Sequence, residues 1–416
     1  MRASLARAAC CAATLGLLAA AAGCGSGPQA DSVTIMVPWS GTEFSTFYQG
    51  VIKPFEDKSG IHVDVEVTRA QDLQLNAAVA AGNPPDLAVL PSVGEVDQYA
   101  NEKVLRQLGI DPDAYAKPFR GLMMVKGKVY AVPVKADVKS LIWYDPNFMH
   151  GAPTTLRALA ALSARKSTHW CLGLASGPTS GWPGADWIAD ILLVKLGAGG
   201  FRAWLTGKLP WTAPQVMDAW TTWKSLVRDS LPRASLIDFG SAAAGIAASP
   251  PACSLAHGAL SAMDFPSHLS EGKNYDYVAF SPGSPLQVSA DFVGLFAAHN
   301  PSATVLLTYL SGKGAQTAWV NAVGSDAFSA DNGVQPADYP KGIRRNIAKL
   351  LRQNSGHTLC FSAADTMKPD LSAAFYQAVI DYANGSRSLT QIGQGLDTIQ
   401  KAVGSSPVPA AEICTP

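Results

Sequence analysis

The sequence predicts an α/β protein, and three observations carry that prediction. From Val33 to Val67 the chain runs strand, helix, strand within about 35 residues, the signature of a right-handed parallel crossover. The same exchange of a two-residue period for a helical one recurs as far as Val403. The composition, 48% hydrophobic and 15% charged with ten Trp in 416 residues, supplies a large core and length for more than one lobe, and excludes a disordered chain.

Val33, Ile35 and Val37 alternate as the first strand. Phe47, Val51, Ile52 and Phe55 recur at helical spacing, and Gly60 ends that helix. Ile61, Val63, Val65 and Val67 alternate again. Residues 73–81 form the next helix, closed by Gly82, and Asn83-Pro84-Pro85 breaks the chain before a short buried strand, Leu87-Ala88-Val89-Leu90. Residues 129–134 and 140–144 read as strands on either side of a polar turn, 135–139, and 153–164 as a helix. Residues 187–196 form an apolar helix ended by Gly197-Ala198-Gly199-Gly200, and 214–227 an amphipathic helix carrying Trp220 and Trp223. Residues 277–280 and 288–296 return to strand. Phe375, Val379 and Tyr382 sit on a helix stopped by Gly385. Ser388 with Gln391 then makes a capping box ahead of a core stripe, Leu389, Ile392, Leu396, Ile399 and Val403.

The start of the chain reads differently. Arg2 and Arg7 precede a small-residue apolar stretch, 8–22, too short for a comfortable span, so residues 1–23 are expected to be an export signal. Ala21-Ala22-Gly23-Cys24 resembles the lipobox of bacterial lipoproteins, with Ala21 where Leu is commoner; the resemblance implies Cys24 as the acylated (palmitate-bearing) residue and 24–31 as a lipid-anchored tether. Beyond the signal cysteines and Cys24, four remain: Cys171, Cys253, Cys360 and Cys414. In an exported chain that even number suggests disulfides, with three possible pairings; we expect Cys171–Cys253 and Cys360–Cys414. No two of them sit at metal-finger spacing, and 32 basic against 32 acidic residues leave no footprint for nucleic acid.

The residues then carry a resemblance. Trp39-Ser40-Gly41 before a helix, Phe55-Glu56, Gly60-Ile61-His62-Val63, Gly82-Asn83-Pro84-Pro85-Asp86-Leu87 and Trp143-Tyr144-Asp145-Pro146 resemble family 1 extracellular solute-binding proteins of ABC importers, the maltose-binding type. Trp170-Cys171-Leu172-Gly173, the run from Ser180 to Asp190, Pro251-Ala252-Cys253 and the run from Phe361 to Pro369 are similar to its α-glucoside-binding branch, and the match at Cys253 supports the first disulfide. Ser362 stands where that branch has Asp, Ala364 where it has Ser, and Ala290 replaces a Gly before Asp291. The resemblance implies a two-lobed periplasmic-binding-protein fold (type II-like) with a ligand cleft between lobes joined by hinge strands. We expect the N-terminal lobe at 32–138 plus 288–335 and the C-terminal lobe at 139–287 plus 336–416. It further implies a monomer outside the cell membrane that hands a carbohydrate, an oligosaccharide or α-glucoside, to membrane permease subunits, without a cofactor.

A sugar has apolar C–H faces and polar edges, so its site wants aromatic platforms beside carboxylates. Trp182 and Trp187 flank Asp186 in a Gly/Pro-rich segment; packing and helix capping are the competing roles. Trp39, Ser40 and Glu43 lie at a strand-to-helix junction, where open α/β sheets bind ligands. Arg69 follows the second strand, Asp137 sits at an expected hinge, and Asp86 follows a turn whose backbone it could bond instead. Asp291 lies in an apolar strand and must have a partner, as must Asp365. The chain contains no HExxH, P-loop, GxSxG or complete GxGxxG, which argues against an enzyme. A lipoprotein glycoside hydrolase using Asp186 with Asp190, and a ligand sensor docking a membrane receptor, are the alternatives weighed.

Overall fold

The computed structural model describes residues 31–149, 152–165, 169–248, 250–296, 299–352 and 355–416. The expected signal, Cys24 and the tether up to residue 30 lie outside the described residues. Strand β1 (Ser32–Val37) leads into α1 (Gly41–Phe47), which continues through one π-helical turn (Tyr48–Ile52) into α2 (Lys53–Ser59). Gly60, at φ 72°, ends α2 in the left-handed region that favours glycine. Then come β2 (His62–Val67), α3 (Gln71–Ala80), β3 (Leu87–Leu90), α4 (Val93–Asn101) and a short α5 (Phe119–Leu122). A small hairpin, β4 (Met124–Val125) with β5 (Lys128–Val129), precedes β6 (Ala131–Val138) and β7 (Leu141–Tyr144).

The polar turn expected at 135–139 is instead strand: β6 runs unbroken to Val138. The ten-residue β10 (Leu286–Leu295) pairs antiparallel with it, setting Lys135 opposite Asp291 and Asp137 opposite Ser289. Ladder bonds and ion pairing outweigh the weak strand preference of Lys and Asp. Because side chains alternate, Lys135 and Asp137 share one face while Val134, Ala136 and Val138 pack on the other.

After β7 come α6 (Leu156–Ser163), α7 (Trp182–Leu205), α8 (Pro214–Leu226), a short α9 (Phe239–Ala242), β8 (Leu255–His257) and β9 (Asp276–Ala279). Helix α7 departs from expectation at both ends. It begins at Trp182, and it carries on past Gly197, whose φ of 62° and ψ of −178° kink the axis without stopping it. β10 is followed by α10 (Pro301–Ser311), α11 (Lys313–Asn321), α12 (Ile343–Leu350), β11 (Leu359–Phe361), α13 (Pro369–Asn384), α14 (Leu389–Val403) and β12 (Cys414–Thr415). Gly385 stops α13 at φ 70°, and the Ser388–Gln391 capping box opens α14.

Two main sheets result. The larger has the order β12-β11-β10-β3-β1-β2, with β6 on the other edge of β10; the smaller is β8-β7-β9. The chain passes between them at 138–141 and at 279–286, so the strands that leave one sheet feed the other. Disulfides join Cys171 to Cys253 and Cys360 to Cys414, the second directly across the β11–β12 register. Among the described residues no helix is long and apolar enough to cross a membrane.

Candidate ligand-binding cleft

The polar face of β6 and β10 makes the floor of a cavity of about 190 Å³, and the end of β1 and the start of α3 line one side of it. Trp182, Phe239 and Tyr376 line it as well. A neighbouring cavity of about 340 Å³ shares Glu43, Arg69, Lys135, Phe239 and Ser261 with the first and adds Ser40. The two together form one cleft where the sheets meet.

Lys135 is the centre of the floor. Its ammonium lies 2.7 Å from Glu43 Oε1, 2.7 Å from Asp137 Oδ2 and 3.6 Å from Asp291 Oδ2. Burial works against that charge, but Asp137, Glu43 and Asp291 outweigh it and hold the lysine protonated well above its ordinary range. Burial also raises the Glu43 and Asp137 carboxyls, only partly offset by Lys135. Trp39 Nε1 donates to Asp291 Oδ2 at 2.8 Å, and Ser261 Oγ donates to Asp137 Oδ1 at 2.9 Å. The Trp39 ring is braced edge-on by Phe47 and Trp319, so its orientation is fixed before any ligand arrives.

Lys139, at the passage between the sheets, pairs with Asp186 Oδ1 at 3.2 Å and Asp365 Oδ2 at 3.3 Å, and donates to Ser362 Oγ at 3.3 Å. Its ammonium lies 5.6 Å from the Trp182 ring centroid, within cation–π reach. Burial pushes the Asp186 carboxyl up to about 7 against the pull of Lys139. Arg69 donates to the Pro38 carbonyl at 3.0 Å and Ser176 Oγ at 2.8 Å, with its guanidinium 5.2 Å from the centre of the Phe239 ring.

Of the residues singled out in the sequence, Trp39, Glu43, Arg69, Asp137, Trp182, Asp291 and Asp365 therefore line one cavity, and Ser40 lines its neighbour. Three are placed elsewhere. Trp187 lies outside the cleft cavity, stacked on His257 at 4.2 Å and edge-on to Trp170. Asp186 lies behind the floor, reaching the cleft only through Lys139. Asp86 accepts from the Thr34 backbone N–H at 2.9 Å and from Asn300 Nδ2 at 3.0 Å, tying β1, β3 and the start of α10 together away from the cleft. The sequence reading missed Lys135, Lys139, Ser261, Phe239 and Tyr376. For the lysines a signal existed, since charges at 135, 137 and 139 have the period of a strand face.

This wall offers carboxyl oxygens, ordered by fixed cations, beside aromatic rings. That suits the edges and faces of a polyhydroxylated ligand. Among the described residues no group of side chains could hold a metal ion. Fold and cleft together define a binding protein whose ligand sits where two sheets meet.

The sequence profile of the bacterial extracellular solute-binding protein family matches residues 50–338, well over half of the chain. The chain belongs to that family, whose members are receptors and not enzymes. The alpha-glucosides-binding periplasmic protein AglE of Rhizobium meliloti is 27% identical over 399 residues, covering 86% of this chain and 84% of its own. The osmoprotective compounds-binding protein GgtB of Synechocystis is 28% identical over 378 residues, covering 84% and 87%. Maltose-bound MalE3 of T. maritima superposes with a TM-score of 0.71 at 15% identity, covering 90% of this chain and all of that one, which establishes the two-lobed fold.

Proposed function

We propose that this chain is the lipid-anchored, extracytoplasmic capture subunit of an ABC importer and takes an oligosaccharide or α-glucoside. The observation that carries the reading is the cleft floor, where the Lys135 cluster presents fixed carboxylates beside the indole of Trp39. The names of its relatives support it: one binds α-glucosides and another osmoprotective compounds. Ligand gripped by both walls shifts an open–closed equilibrium, and the closed monomer is what the permease accepts. The hinge assignment of 32–138 plus 288–335 against 139–287 plus 336–416 is supported by the two passages between sheets, although β11 and β12 hydrogen-bond into the larger one. Anchoring at Cys24 rests on the lipobox alone.

A glycosidase reading finds no support in the Asp186–Asp190 pair. Asp190 is held by Ser140 Oγ at 2.5 Å and His257 Nε2 at 2.6 Å in the interior, so the two acids cannot flank a substrate bond. The test is a melting-temperature screen of the purified protein against maltose, trehalose, sucrose and longer α-glucosides. A ligand raises the midpoint in a dose-dependent way and is recovered unchanged. A panel without a single hit, or a sugar recovered as product, contradicts the proposal.

A further inference from the structure

Arg69 lies two residues beyond the end of β2, on the wall of the cleft that the larger sheet carries. One amino group of its guanidinium stays on that wall: Nη1 donates to the Pro38 carbonyl at 3.0 Å. The other reaches across. Nη2 donates to Ser176 Oγ at 2.8 Å, and the guanidinium carbon lies 5.2 Å from the Phe239 ring centroid. Both cavities of the cleft are lined by Arg69 and Phe239, so this bridge crosses where the two meet.

The far side is a built catch. Ser176 is 4% exposed; its backbone N–H donates to Ser180 Oγ at 2.9 Å, and its hydroxyl lies 3.1 Å from Thr179 Oγ1. A pair of backbone bonds joins the Ser176 segment to that of Phe239. Ala175 N–H donates to the Ile237 carbonyl at 2.9 Å, and Phe239 N–H donates to the Ala175 carbonyl at 3.1 Å. Asp238 Oδ1 accepts from the Gly240 N–H at 3.0 Å, and Trp182 stands edge-on to the Phe239 ring at 5.0 Å. Cys171 N–H donates to the Leu255 carbonyl at 2.7 Å, which ties the same segment to β8 of the smaller sheet. Acceptor and ring are thus fixed together on the wall opposite Arg69.

The partners decide what such a bridge can do. Lys135 and Lys139 are locked by carboxylates, and parting either from its acids strands buried charge. Arg69 is held by a carbonyl, a hydroxyl and an aromatic face. These contacts are weaker than charge-paired ones, and breaking them leaves no carboxylate uncompensated. The bridge can therefore form and release as the walls approach and part.

We propose that Arg69 is a strap that draws the two walls of the cleft together without a ligand, and so sets the share of closed molecules that a sugar meets. The proposal rests on the hinged, sugar-binding reading of the cleft and adds the residue that governs its resting state. When only the closed form grips the ligand tightly, the apparent dissociation constant is the intrinsic one divided by the closed share. Releasing the strap leaves the floor around Lys135 as it is and lowers that share.

The experiment compares wild type with two variants by small-angle X-ray scattering. Arg69→Met keeps the stem and loses the donors and the charge. The double variant Ser176→Ala, Phe239→Leu leaves Arg69 in place and removes the catch. Ligand-free, both variants are expected to have a larger radius of gyration than the wild type, with its circular dichroism spectrum retained, and to contract to the wild-type value in saturating maltose. Calorimetric affinity for maltose is expected to fall about fivefold in both. A ligand-free Arg69→Met protein as compact as the wild type overturns the proposal, as does expansion in Arg69→Met that the double variant lacks. Affinity lost in Arg69→Met at an unchanged radius also overturns it, because that is the mark of an arginine that touches the sugar. A wild type that contracts on maltose as far as the variants do strikes the strap and upholds the hinged sugar receptor. Expansion of both variants in protein that binds no maltose upholds the strap and strikes the carbohydrate reading alone.

Discussion

Lys135 and Lys139 project from one face of the same extended run, both largely buried, yet they do different jobs. Lys135 is ringed by acids from α1, β6 and β10, all elements of the larger sheet or packed on it. Lys139 is held by Asp186 from α7 and Asp365 from the segment after β11, at the point where the chain leaves that sheet. The first cluster forms the floor, with three acids around one cation. The second contains a carboxyl that burial has brought up to about 7, so its charge balance changes near neutral pH. Burial raises carboxyls in both clusters, Glu43 and Asp137 in the first and Asp186 in the second, so one extended run supplies a lysine ringed by three acids on the floor and, beside it, a lysine held by two at the passage between the sheets.

The largest expected effect breaks the first cluster. Lys135→Met strands Glu43, Asp137 and Asp291 without a cation and is expected to cost about 3–5 kcal/mol of stability, read by urea unfolding. Lys139→Met is expected to cost less, about 1–3 kcal/mol, because it strands two carboxyls and not three, one of them, Asp186, already up at about 7; the loss should be greater at pH 8 than at pH 6. Equal losses for the two lysines, independent of pH, would erase the distinction.

Asp186 sharpens it further. Its folded value lies above the ordinary carboxylate range, so the stability it contributes is present below that range and is lost as pH rises to about 7. Melting midpoints of Asp186→Asn should fall less steeply than those of the wild type across that window. Parallel curves would show that Asp186 stays ionised throughout.

Much of the scaffold was legible in the sequence because it is written in short-range patterns. The alternation from Val33 to Val67, the left-handed stops at Gly60 and Gly385 and the Ser388 capping box all depend on neighbours in the chain. The misreadings came where distant partners decide. Charges at 135–139 look like a turn until β10 is beside them. Gly197 looks like a terminator until the helix after it docks. Trp39 and Trp187 each suggested a stacking platform, but one stands at the end of a strand facing the cleft and the other is sealed against His257 and Trp170. Asp86 was drawn inward by Thr34 and Asn300, partners no local window contains.

That last contrast supplies the most direct test. Calorimetric titration of wild type, Trp39→Phe and Trp187→Phe with the sugar that most raises the melting temperature compares the two indoles at equal chemistry. Loss of the Trp39–Asp291 hydrogen bond is expected to weaken binding about tenfold, a loss of about 1.4 kcal/mol, while Trp187→Phe lowers stability and leaves the affinity unchanged. An unchanged affinity in Trp39→Phe together with a weakened one in Trp187→Phe would move the binding site away from the floor described here and contradict the account.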